Sequence, residues 1–315
     1  MSIDRDKFYE LVHQKHVTKV RDIPKKIHQM WLDKKTETNQ TFPEKYVKNG
    51  YVQSWKTHNP ELEYVFWNVQ KVNKLFQHPK LARWKDFYFK TLKVWIQKCD
   101  FARYALLYVH GGLYVDVDYI CFRNASELFT NRQIGLVFEP IEHKTPLFDR
   151  GLRLQNGIMA SVPNHPFWEV VMDHIMKIHV PLFWLTMHIT GPSMLFELEQ
   201  KYNISETHPE WFWDPCKVLP VHRLHGIRLD CPPNSLDTAI CATYWNEGTK
   251  WGTQNTKLSN QNANNIPTQS ATVPKLQHYE NRMIYVSDQT VYIWILFLLF
   301  VIMLCAIIFI AAKKC

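Results

Sequence analysis

Residues 111–122 read GGLYVDVDYICF: two carboxylates, Asp116 and Asp118, stand one residue apart in an otherwise apolar run. Side chains two apart on a strand share a face. Val115 and Val117 are therefore expected to enter a core while both aspartates emerge together. Like charges held that close repel each other and resist burial unless something positive lies between them. A hard divalent cation, Mg2+ or Mn2+, suits carboxylate oxygen and keeps coordination positions for substrate phosphates. The plainer alternative, in which the two aspartates end a strand and begin a turn, stays open on this motif alone.

Upstream, strand and helix signals alternate. KIHQMWL (26–32) reads as a strand after Pro24, and LEYVFW (62–67) as a second. Between them, residues 43–58 open on proline and continue with helical apolar spacing at Tyr46, Val47, Tyr51 and Trp55. Residues 87–110 carry apolar side chains at Trp95, Cys99, Ala102, Leu106 and Val109, a helix that Gly111 and Gly112 should stop. Strands follow at 113–122 and 134–138. The alternation predicts an α/β fold with a mainly parallel sheet covered on both faces. Ligands on such sheets sit at the carboxyl ends of strands, where Asp116 and Asp118 fall.

The helix before the glycines carries Asp100 and Arg103, three apart and so on one face. A surface salt bridge would explain the pair, but this helix is apolar over most of its circumference, and charges there need partners. Arg103 has the planar fork suited to phosphate, and Asp100 can accept from sugar hydroxyls. The paired glycines are expected to bring backbone close to a ligand, with the Tyr114 hydroxyl near a phosphate.

The whole run CDFARYALLYVHGGLYVDVDYICF (99–122) resembles the Asp-x-Asp glycosyltransferases of family 32, as do three flanking segments. IPKKIHQMW (23–31) looks like that family's opening strand, and the resemblance implies that Trp31 stacks on the nucleotide base. QNGIMASVPNHPFW (155–168) looks like its central Asn-Gly segment, marking Asn156 for substrate binding. ITGPSML (189–195) matches a Thr-Gly-Pro turn of inositol phosphoceramide mannosyltransferases. Near the end of the domain, ATYWNEGTKW (242–251) matches the version with an amide in place of histidine. Asn246 is then a third metal ligand beside Asp116 and Asp118, with Glu247 close behind, and Thr249 and Trp251 are substrate contacts.

The resemblance implies a GT-A nucleotide-diphospho-sugar transferase fold, a Rossmann-like mixed sheet, and a metal-dependent hexosyltransferase that retains anomeric configuration. Asp100 and Arg103 would be its catalytic pair. The donor would be a nucleotide sugar, with GDP-mannose leading, and the acceptor a lipid or glycan, with inositol phosphoceramide leading. A protein-modifying transferase and a non-catalytic membrane-displayed binding protein are the alternatives. The Asp-x-Asp of haloacid-dehalogenase-like phosphatases is a weaker match, since that chemistry has no use for Asp100, Arg103 or the glycine pair.

The rest of the chain sets the context. Of 315 residues, 46% are apolar, enough for a sizeable core, and the formal charge is +8, which suits anionic substrates or membrane surfaces. The basic residues are scattered and no nucleic-acid motif accompanies them, which argues against a nucleic-acid partner. Seven cysteines without Cys-x-x-Cys spacing suggest neither a zinc site nor a dense disulfide framework, and Cys99 and Cys121 read as core residues.

Residues 1–19 read as a helical extension and 20–251 as the transferase domain. Residues 252–290 form a polar linker, of which 252–274 is rich in Asn, Gln, Ser and Thr. Val291–Ala312 is uncharged and long enough to cross a bilayer, with Lys313 and Lys314 behind it. A single-pass protein of a secretory-pathway membrane is expected. Sequons at Asn39, Asn124 and Asn203 and the terminal lysines favour a lumenal domain. The charged start, MSIDRDKFYE, without a signal peptide, tips the expectation to the cytosolic side.

Overall fold

A computed structural model describes residues 8–10, 22–33, 41–139, 154–182, 185–220, 231–232 and 235–243. The chain falls into two compact units, Met1–Val273 and Pro274–Cys315, and every described residue belongs to the first. Among the described residues no helix is long and apolar enough to cross a membrane. The expected linker at 252–290 and membrane helix at 291–312 lie outside them, as do Asn246, Glu247, Thr249 and Trp251.

Strands β1 (Lys26–Met30), β2 (Glu63–Trp67), β3 (Gly112–Val115), β5 (Ile134–Gly135) and β6 (Ile158–Ser161) form one sheet in the order β2-β1-β3-β6-β5. The first three are parallel, with Ile27 opposite Tyr64 and Leu113. The far edge is antiparallel: Val115 pairs with Ile158, and Ile134 with Ser161. The sheet is therefore mixed rather than mainly parallel, because β6 returns beside β3 in the opposite direction. A second, small sheet joins β4 (Tyr119–Cys121), β8 (Cys241–Thr243) and β7 (Val218–Pro220).

Three expected elements are broken, each for a local reason. The helix over 43–58 divides into α1 (Glu44–Lys48) and α2 (Tyr51–His58) at Gly50, which takes φ 73°. Residues 69–91 form α3 (Val69–Leu75), α4 (Ala82–Asp86) and a π-helical turn at Phe87–Thr91. Leu92 is extended and wholly buried, so the next helix, α5 (Trp95–His110), starts only at Trp95. The strand over 113–122 is interrupted: β3 ends at Val115, and Asp116–Asp118 turn the chain into β4 of the other sheet. Both aspartates thus sit at a strand's carboxyl end but not within a strand.

Helix α5 is the centre of the core. Phe101, Ala102, Tyr104, Ala105, Leu106 and Leu107 are wholly buried around it. It packs with Phe76 and Tyr88, whose rings stack at 3.8 Å, and with α6 (Pro166–Ile178), where Trp168 stacks on Tyr104 at 5.8 Å. Helices α7 (Thr186–Ile189) and α8 (Pro192–Tyr202) follow, and Phe8 stacks on Tyr202 at 4.2 Å.

The glycine pair closes this packing. Gly111 and Gly112 take φ 63° and 88°, and a Cβ on Gly112 would lie 2.8 Å from His28 Nε2 and 2.9 Å from the Lys26 carbonyl oxygen. His28 accepts from the Trp67 indole N–H at its Nδ1 (3.0 Å) and donates from Nε2 to the Gly111 carbonyl (3.0 Å). Burial lowers its pKa to about 3, so the ring is neutral. Gly112 thus makes room for strand β1 and Gly111, whose Cβ would lie 2.6 Å from the Ser161 carbonyl oxygen, for the end of β6, so the close approaches that these glycines allow here are to protein.

Gly50 shares the left-handed backbone but has nothing within 4 Å of the Cβ position. Gly50→Ala should therefore cost only backbone strain, about 1–2 kcal/mol, while Gly112→Ala adds overpacking of roughly 1–3 kcal/mol. Urea unfolding of the two variants should show Gly112→Ala to be the less stable. Equal midpoints would mean that the His28 contact yields without cost.

Candidate active site

Asp100 and Arg103 lie on the inward face of α5, 4% and 6% exposed. Neither could sit there alone, and the structure supplies the partners that the apolar helix demanded. Arg103 Nη2 is 3.2 Å from Asp100 Oδ1. Its Nη1 donates to the Asn156 carbonyl at 2.8 Å and to Asp116 Oδ2 at 3.2 Å. The guanidinium lies over the Tyr114 ring at 5.0 Å, and the Tyr114 hydroxyl donates to Asp116 Oδ1 at 2.6 Å. Burial opposes the charge on Arg103, but Asp116, Tyr114 and Asp100 hold its pKa well above the ordinary value.

Asp116 is placed by its backbone as much as by its side chain. Its N–H donates to the Gly157 carbonyl at 2.7 Å. Its carbonyl accepts from Gln29 Nε2 at 3.2 Å, and Gln29 Oε1 in turn accepts from the Tyr64 hydroxyl at 2.6 Å. A Cβ on Gly157 would lie 2.9 Å from Asp116 Oδ2, so the glycine leaves the carboxylate room to meet Arg103. With its side chain 33% exposed, Asp116 stands between the buried network and solvent. Asp118 is also partly exposed, and Val117 between them turns inward with Phe42, Tyr46, Tyr51 and Val52. Trp31, at the end of β1, packs on this same cluster, its ring 5.5 Å from that of Tyr46.

Asp100 is held at both oxygens. Oδ1 accepts from Asn156 Nδ2 at 3.0 Å, and Oδ2 from the Thr190 hydroxyl at 2.8 Å. Burial raises its pKa to about 6; Arg103, Thr190 and Asn156 oppose that rise and Asp116 adds to it. Five of the expected residues, Asp100, Arg103, Tyr114, Asp116 and Asn156, thus share one bonded network, with Trp31 and Asp118 flanking its turn. Arg103 and Asp100 spend hydrogen bonds on protein that the sequence reading assigned to phosphate and sugar. Thr190, Gly157 and Gln29 carry roles not assigned from sequence, although all three lie inside segments already singled out.

Among the described residues no group of three His, Cys, Asp or Glu side chains could hold a metal ion. The chemistry of the donor set still fits one: Mg2+ and Mn2+ are commonly held by one or two carboxylates plus substrate phosphates. Asp116 and Asp118 are such a pair, oxygen-only and partly exposed.

Two outcomes follow from this geometry. Gly157→Ala should push the Asp116 carboxylate off Arg103 and lower turnover about a hundredfold, with only a small change in unfolding midpoint; unchanged turnover would show that Asp116 needs no such placement. Below about pH 6 Asp100 takes up a proton and loosens its hold on Arg103, so the rate should fall on that acid side. Its folded pKa lies above the ordinary 3.8, so its own contribution to stability falls as pH rises across that window. Rate and stability should therefore move in opposite directions there, which parallel rate and melting profiles would test.

Residues 45–135, which include Asp100, Arg103, Tyr114, Asp116 and Asp118, match the glycosyltransferase sugar-binding region containing the DXD motif. An inositol phosphoceramide mannosyltransferase 2 of Schizosaccharomyces pombe is 30% identical over 62% of this chain and 52% of its own length. An uncharacterized glycosyltransferase of Acanthamoeba polyphaga mimivirus is 31% identical over 49% of this chain and 55% of its own. The chain thus spans about half the length of these curated relatives. Among solved structures, the PaToxG glycosyltransferase is similar at 17% identity and a TM-score of 0.43, covering 64% of this chain and 80% of that one. Residues 45–135 are thus similar to the sugar-binding region of glycosyltransferases that carry the DXD motif.

Proposed function

We propose that the protein moves a hexose, mannose from GDP-mannose, to a membrane glycolipid of the inositol phosphoceramide kind, on a GT-A fold and with retention of configuration. The observation that carries this reading is the network in which buried Arg103 holds Asp116 at the carboxyl end of β3. Similarity to the fission yeast inositol phosphoceramide mannosyltransferase 2 supports the choice of sugar and acceptor.

In this reading the buried residues set up the site before any substrate arrives. Arg103 and Tyr114 take one oxygen each of Asp116 and fix the carboxylate plane. Each of those oxygens keeps a lone pair for a further partner. A divalent cation held by Asp116 and Asp118, with Asn246 as a third ligand, would neutralise charge on the departing nucleotide diphosphate. Trp31 would cover the base. Asp100 keeps Arg103 in register, and Arg103 leaves the local field less negative than three aspartates alone would make it. The acceptor hydroxyl would attack the anomeric carbon on the face from which the diphosphate leaves. The new glycosidic bond forms as the sugar–phosphate bond breaks, and the hydroxyl proton passes to the departing phosphate.

The structure adds one observation about the compartment. Cys216 and Cys231 are joined in a disulfide, a bond that persists in oxidising surroundings. It favours a lumenal catalytic domain over a cytosolic one.

Membranes bearing the full chain, given radiolabelled GDP-mannose, should label an extractable glycolipid. EDTA should abolish the labelling and Mn2+ or Mg2+ restore it. Asp116→Asn and Asp118→Asn should each remove activity and leave the unfolding midpoint within a few degrees of the parent, since neither carboxylate is fully buried. Label on protein alone would replace the lipid acceptor with a protein one, and full activity in EDTA would remove the metal.

A further inference from the structure

We propose that Thr190 is a positioning residue for sugar transfer: its buried hydroxyl fixes the Asp100 carboxylate and, through it, the Arg103 fork that holds Asp116. The activity readout of this proposal rests on the transferase reading above; its structural readout does not.

Thr190 lies between α7 and α8 and is wholly buried. Its hydroxyl is 2.8 Å from Asp100 Oδ2 and 3.4 Å from the Thr186 carbonyl, so its single proton goes to the carboxylate. The backbone of the same residue is gripped from the same helix, because the Tyr104 hydroxyl donates to the Thr190 carbonyl at 2.6 Å. Asp100 and Tyr104 are four apart on α5 and so present one face to the turn. Asn156 closes the ring, with its Nδ2 3.0 Å from Asp100 Oδ1 and 3.4 Å from the Tyr104 oxygen.

The two residues that follow Thr190 make this placement possible. A Cβ on Gly191 would lie 2.9 Å from Met187 Cα, so any larger residue would force the turn outward and draw the hydroxyl from Asp100. Pro192 then opens α8 at its first turn, where a missing N–H costs nothing. Thr-Gly-Pro is thus a small device: a donor, a close approach and a restart. Without the hydroxyl, Asp100 Oδ2 loses the only donor that the described contacts give it. The carboxylate would then turn toward Arg103, already 3.2 Å from its other oxygen, and pull the guanidinium from Asp116.

Thr190→Val keeps the side chain's volume and removes the hydroxyl; Thr190→Ser keeps the hydroxyl. With GDP-mannose as donor and full-length protein, Thr190→Val should lower kcat roughly tenfold to a hundredfold. Its donor KM should stay within about threefold, because no substrate contact is removed. Thr190→Ser should retain at least about half of the parent kcat. A second measurement needs no substrate: in thermal unfolding, Thr190→Val and Asp100→Asn should be strongly non-additive when combined, since the first removes the donor and the second the charge of the acceptor in the same bond. Parent-like kcat in Thr190→Val, equal loss in both Thr190 variants, or additive unfolding effects would overturn the proposal. A parent protein inactive with GDP-mannose would sink the donor assignment instead, and the unfolding cycle would still decide whether Thr190 holds Asp100.

Discussion

A buried guanidinium must be paired, and at the carboxyl end of β3 that requirement organises everything nearby. Arg103 lies on a helix surrounded by aromatic and aliphatic side chains, where an unpaired charge would be prohibitively costly. Removing its buried partner, Asp100, would cost about 3–5 kcal/mol, because the charge left behind has no water to turn to. Its three acceptors come from three places: Asp100 from its own helix, Asp116 from the turn after β3, and the Asn156 carbonyl from the loop before β6. One side chain therefore sets how α5, β3 and β6 lie together. The pairing of Val115 with Ile158 meets the same demand from the sheet side. Site and core are one construction here, so the residues expected to handle substrate are also residues that the fold needs.

This double use marks how far the sequence could be read. Apolar positions all around residues 95–110 said that Asp100 and Arg103 needed partners, and that inference holds. The identity of the partners was out of reach. It depends on the middle of α5 facing the carboxyl end of β3, a placement made by Ile27 pairing with Leu113 and by α5 packing on α6. Side-chain chemistry alone suits Arg103 to phosphate and Asp100 to sugar hydroxyls; in the fold both also bond to protein. The glycine pair misled for a related reason. Glycine signals close approach of something, and only the three-dimensional arrangement says that it is the His28 ring at Gly112 and Ser161 with Pro163 at Gly111.

Strand boundaries failed in a similar way. Alternating apolar and polar residues through 113–121 fit one straight strand or two short ones joined by a turn, since the inward side chains are the same in both. The turn is favoured because the Asp116 carbonyl can accept from the Tyr119 N–H at 3.2 Å while its own N–H reaches Gly157. The Cys216–Cys231 disulfide left no trace in cysteine spacing: the two are 15 residues apart, and the other cysteines that the structure describes, at 99, 121 and 241, are free.

The arrangement also bears on why the two aspartates differ although they are two residues apart. Asp116 has its backbone bonded on both sides and its carboxylate bonded at both oxygens, yet a third of that side chain still meets solvent. A group fixed in this way loses little freedom when substrate binds, which is the source of electrostatic preorganisation. Fixing it required the protein to bury Asp100 and Arg103, and to build Thr190 and Gly157 around them. That burial is also what raises the Asp100 carboxyl's pKa to about 6. The same low-dielectric surroundings that strengthen Arg103's grip on Asp116 therefore make the grip sensitive to acid.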